Sequence, residues 1–111
     1  MHVKNRLNGQ EIKELLFGKT RTGYIMGYEV SFSNNQEGKL IYTFGKDGFN
    51  LFEDTGISWI EGDSICNQLE QMFEGIKFYQ DIYFNPEGNK ISKNEYIAIS
   101  DMSIIPFSIV E

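Results

Sequence analysis

One cysteine, one histidine, one tryptophan and two prolines are all that 111 residues contain of those types. A single cysteine cannot close a disulfide within the chain, which fits a reducing compartment or a fold that needs no staple. One Cys and one His, Cys66 and His2, cannot build a zinc site. The acids Asp47, Glu53, Asp54, Glu61 and Asp63 lack the regular spacing of a calcium loop, so no metal or other cofactor is expected. Gly-x-Ser-x-Gly, Walker-type and dinucleotide glycine patterns are absent as well. Long apolar runs are missing, so no segment reads as a membrane-spanning helix, and MHVKNRLNGQEIKELLFG has neither an apolar signal core nor a cleavage site. A cytoplasmic location is expected if this is the full chain, and a periplasmic or secreted one if a signal peptide has been removed.

Basic charge is also scarce. Ten Lys and Arg stand against sixteen Asp and Glu, for a net charge of −6. Phosphate contacts supply most nucleic-acid affinity, so this balance argues against a nucleic-acid partner. A protein mimicking DNA would need its acids gathered on one surface, whereas here they are scattered singly.

What the chain does have is apolar and aromatic mass: 41% hydrophobic residues, with nine Phe and six Tyr. That suffices for one folded domain over 1–111, with no linker-like run dividing it. Leu7 to Gly18 predicts a helix over about 8–18. Asn8 can cap it, Glu11 completes a capping box, Gly18 can end it, and Ile12, Leu15 and Leu16 share one face. From Gly23 the period becomes two. Tyr28, Val30 and Phe32, then Leu40, Tyr42 and Phe44, alternate with a second set that includes Ile41. Asn34 to Gly38 reads as a hairpin loop, Asp47-Gly48 and Gly62-Asp63 as turns, and Asp54-Thr55-Gly56 as a further break. Residues 67–75 read as a loop or a single helical turn. Strands follow at 77–84, 95–100 and 104–110, with a type I turn at Asn85-Pro86-Glu87-Gly88. Pro106 has no N–H for a ladder, so the last strand is expected at an edge. About seven strands in sequence order, 23–110, predict a mainly β fold: a curved antiparallel meander or small barrel, with the helix plugging one end.

The stretch GISWIEGDSIC holds both Trp59 and Cys66. A nucleophilic thiol needs a base and a lowered pKa, but the only histidine is at the terminus, and Glu61 and Asp63 would raise the pKa. A buried core Cys66 is the better reading. Carboxylate pairs for glycosidase-type work would be Glu61 with Asp63 or Glu53 with Asp54, although two acids in a turn are far more often solvated. Trp59, Tyr28, Tyr42, Tyr79, Tyr83 and Tyr96 combine an apolar body with a polar tip, and are the candidates for contacting a small apolar or aromatic ligand at a barrel mouth. Their bland role is to fill the core and rim. Tyr79 and Tyr83 oppose the Phe78, Ile82, Phe84 face and leave a second aromatic surface for a protein partner.

The order LNGQEIKELLFGKTRTGY, GKDG, GISWIEGDSIC, YFNPEGNKISKNEYIAISD and PFSIV resembles uncharacterised bacterial domains reading roughly Leu-x-Gly-x-Glu-Ile, Asp-Gly, Trp-x-Ile and Asp-x-Leu-Cys. These occur alone or appended to larger proteins, including cyclase-type signalling proteins. The resemblance covers most of the chain and implies a lipocalin-like small β fold with no established activity. That pattern has a second cysteine near 78–83, where this chain has Tyr79, so no disulfide is implied. The expected function is a non-catalytic binding or accessory domain for a small ligand or a protein. An acidic interaction or inhibitor protein, with possible homodimerisation through the edge strand Ile104–Val110, is the second reading, and a small carboxylate- and Tyr-dependent enzyme the third.

Overall fold

The computed structural model describes residues 5–86 and 95–110. The helix α1 (Gly9–Leu16) precedes eight strands: β1 (Thr20–Ile25), β2 (Tyr28–Asn34), β3 (Lys39–Lys46), β4 (Phe49–Glu61), β5 (Ser64–Leu69), β6 (Phe78–Phe84), β7 (Tyr96–Ile99) and β8 (Ile104–Val110). Each pairs antiparallel with its sequence neighbour, and β8 returns to pair with β1, closing a barrel. Closure removes both sheet edges.

Three expectations are corrected here. Asp54-Thr55-Gly56 is not a break: β4 runs through it as one 13-residue strand, pairing first with β3 and then with β5. Gly56 makes this possible, because a side chain there would run into the Gln68 backbone of β5, and a glycine marks a close backbone approach. The first strand begins at Thr20 rather than at Gly23, and the strands number eight. Pro106 does not mark an edge. Its carbonyl lies against Gly23 of β1, and a strand residue's N–H and C=O point the same way, so the missing donor faces β1 just past the last β1–β8 pair, Gly23 with Phe107. The missing donor thus falls opposite Tyr24, where the β1–β8 ladder ends.

The helix is the plug that its pattern predicted. Asn8 Oδ1 accepts from the Glu11 N–H and Glu11 Oε1 from the Asn8 N–H, both at 2.9 Å, completing the capping box. Before the helix, the Leu7 N–H donates to Ile82 of β6; after it, the Gly18 N–H donates to Asn34 of β2. Strands β6 and β2 stand half a turn apart around eight, so α1 crosses one mouth of the barrel. Ile12 and Leu16 are buried in the core with Val30, Phe32, Leu40, Ile65, Ile82 and Phe107. The predicted turn at Asn85-Pro86-Glu87-Gly88 falls partly outside the described residues, as does His2.

Candidate functional site

Alternation along the strands sends one set of side chains into the barrel, and not all of that set is apolar. Arg21, Asn34, Ser58, Asn67 and Gln80 are buried, and hydrogen bonds link them across it. Arg21 Nη2 donates to Gln80 Oε1 at 2.8 Å, which also accepts from Asn67 Nδ2 at 3.0 Å. Ser58 Oγ donates to Asn67 Oδ1 at 2.7 Å and accepts from Asn34 Nδ2 at 2.9 Å. The Arg21 guanidinium lies 4.3 Å from the Phe32 ring centroid and 5.3 Å from that of Phe107. Burial pulls its pKa down to about 9, which leaves a cation at neutral pH. Among the described residues no carboxylate pairs with it, the one ion pair being Arg6 with Asp81, and its Nε has no hydrogen-bond partner. The interior is thus packed by aromatics, aliphatics and this polar chain.

A large concavity lies outside instead. A groove of about 1220 Å³ runs over the end of β2, the start of β3, the middle of β4 and the end of β5. Ile41 and Ile57 form an apolar floor, both about half exposed (48% and 50%), with Gln36, Lys39, Gln68 and Glu70 as polar rim. An apolar floor with few polar groups around it is the usual make-up of a ligand site.

The six aromatic candidates do not converge on this groove. Tyr42 is inside the barrel, edge-on to Phe32 at 5.1 Å, and burial raises its pKa. Tyr96 is inside too, stacked on Phe107 at 5.6 Å, its pKa raised by burial and then by Glu95. Tyr28 stacks on Phe44 at the mouth opposite α1, with Lys46 Nζ 5.1 Å from its ring centroid. Trp59, Tyr79 and Tyr83 point outward. Trp59 and Tyr79 flank Cys66 across the β4–β5–β6 pairs, and Lys77 Nζ lies 5.9 Å from the Trp59 ring centroid. The Glu61 carboxylate beside the Tyr79 hydroxyl, with some burial, pushes that phenol up to about 12. Cys66 is buried as expected, though not in the core: it lies on the outer wall, roofed by Trp59 and Tyr79. Burial pushes its thiol up, and Glu61 adds to this, against opposing effects of Tyr79 and Lys77.

The acids are occupied by structure. Asp54 points inward from β4 and is 3% exposed. Its oxygens accept from the backbone N–H groups of Thr55, Gln71 and Met72 at 2.8–2.9 Å. Burial alone would raise its pKa, but those three donors prevail and hold it below the usual value. Asp63 Oδ1 accepts from the Gly9 N–H at 3.0 Å, fixing the start of α1. No cluster of His, Cys, Asp and Glu able to hold a metal occurs among the described residues.

Ile41 and Ile57 escaped the sequence reading, which favoured aromatics. A signal existed for Ile41, a large aliphatic on the outward phase of β3 between Lys39 and Thr43, whereas the outward phase of β4 also carries Phe49, Leu51 and Trp59, so Ile57 did not stand out. No protein-family model matches this chain, and neither a curated protein nor a solved structure matches it.

Proposed function

We propose that this chain is a non-catalytic binding or accessory module that holds a small apolar ligand against the outer wall of its barrel, over Ile41 and Ile57. The groove is the observation that supports the reading. It is a large concavity of predominantly apolar lining, while the barrel interior is filled by side chains. Trp59, two residues beyond Ile57 on the same face of β4, is a built-in reporter. A panel of environment-sensitive apolar dyes, fatty acids and aromatic metabolites is titrated while Trp59 emission and melting temperature are followed. A ligand that prefers the native state raises the melting temperature by mass action. Ile41→Glu and Ile57→Glu, both at exposed positions, should weaken binding at least tenfold with the fold unchanged by circular dichroism. Binding that survives both substitutions, or no binding by any member of the panel, rejects the groove as the site.

The acidic-interaction reading is favoured by a different feature, the mouth that α1 leaves uncovered.

A further inference from the structure

In an up-and-down barrel the turns after β1, β3, β5 and β7 all lie at one mouth, here the one opposite α1. Each carries a large apolar residue facing solvent. Met26 is 93% exposed in the first turn, Phe49 is 73% exposed beyond the second, Ile76 is 64% exposed in the third and Met102 is 55% exposed in the fourth. Among the described residues, the four non-glycines with positive φ, Met26, Asp47, Phe73 and Glu74, are on the same turns. A left-handed Met or Phe is strained, and such strain collects at functional positions.

The two halves of this mouth differ in shape. Between the third and fourth turns is a depression of about 630 Å³, its apolar lining including Phe73, Ile76, Ile99 and Met102 and its charged edge Glu74, Asp81 and Asp101 against Lys77. Diametrically across, the first two turns project Met26 and Phe49, with Lys46 beside them. A knob and a hole on opposite sides of one face suit a two-fold axis lying in the plane of that face. The axis brings the knob of each copy to the hole of the other, as an isologous interface requires. Lys46 would then approach the acidic edge formed by Glu74 and Asp101. The molecule measures 34 × 32 × 27 Å, so one end offers on the order of 700 Å² to a partner, close to the roughly 800 Å² per side of a standard interface.

We propose that two copies of this chain associate mouth to mouth, each inserting Met26 and Phe49 into the depression between Ile76 and Met102 of the other. The partner is a second copy rather than a lipid surface because the mouth is not basic: Lys46 and Lys77 are set against Asp47, Glu74 and Asp101. Anionic membranes attract clustered Lys and Arg, which this mouth lacks.

Sedimentation velocity of the full chain from 1 to 500 µM is the test. A concentration-dependent dimer is expected, weakened at least tenfold by Met26→Asp and by Phe49→Asp. Lys46→Glu should weaken it as well, and the double change Lys46→Glu with Glu74→Lys should restore it, because the pair meets across the interface. Met26 is so exposed that its variant reports on association even if Phe49→Asp misfolds. A monomer at 500 µM, or a dimer indifferent to Met26→Asp, overturns the proposal. Co-flotation with phosphatidylcholine vesicles that Met26→Asp abolishes would assign the mouth to lipid and overturn it too.

Discussion

At the scale of single residues, Arg21 and Asp54 show how a buried charge can cost or contribute stability according to its partners. Arg21 has two aromatic faces and Gln80, but no counterion. Replacing an unmatched buried charge with an apolar side chain of similar size is often neutral or stabilising by about 1–4 kcal/mol. Arg21→Met is therefore expected to leave the urea midpoint unchanged or higher, since Gln80 Oε1 keeps its bond from Asn67. Gln80→Leu should do the opposite, stranding donors on both Arg21 and Asn67, at a loss of about 3 kcal/mol. Asp54 works in the other direction. Its pKa is depressed in the folded state, so its contribution is complete above the unfolded value near 3.8 and disappears as pH falls through the folded one. Asp54→Asn turns an amide donor toward backbone donors and should cost about 2 kcal/mol at pH 7. Urea titrations at pH 7 and in strong acid should show that difference and then its disappearance. Neither role was legible in sequence. Asp54-Thr55-Gly56 has the composition of a turn, and nothing in a linear pattern announces that three N–H groups from residues 55, 71 and 72 converge on one carboxylate.

At the scale of elements, α1 was the most legible part of the chain, because capping and amphipathic spacing are local properties. Removing the box with Asn8→Ala is expected to cost about 1 kcal/mol by chemical denaturation. Gly9→Ala should cost more than Asn8→Ala. A methyl there meets the Gly62 carbonyl and Ile60, so the helix must lift from the β4–β5 turn and break the Gly9–Asp63 hydrogen bond. If Gly9→Ala proves as stable as wild type, the close seating of the helix on that turn is refuted. The strands were legible in phase but not in extent. Period-two alternation identified Val30, Phe32, Leu40 and Tyr42 as inward, yet β4 was divided at Gly56 because a glycine that permits close packing and one that makes a turn look alike in sequence.

At the scale of the whole molecule, Cys66 offers a probe of global opening. Its thiol is fully buried on the wall, under Trp59 and Tyr79, and paired strands surround it. For a stability of about 5 kcal/mol, labelling by a thiol reagent through global unfolding should be on the order of a thousandfold slower than in denaturant. Native labelling within a few-fold of the denatured rate would show that β4, β5 and β6 separate locally. Composition and periodicity, which need only neighbouring residues, determined that this chain folds as a mainly β domain with a capped helix and can close no disulfide within itself. Closure of β8 onto β1, the polar chain through the interior, the outer groove over Ile41 and Ile57 and the apolar mouth were decided by tertiary structure alone. Each depends on residues far apart in sequence meeting in space, and a linear pattern records which face a side chain takes but not which strand or solvent lies beyond it.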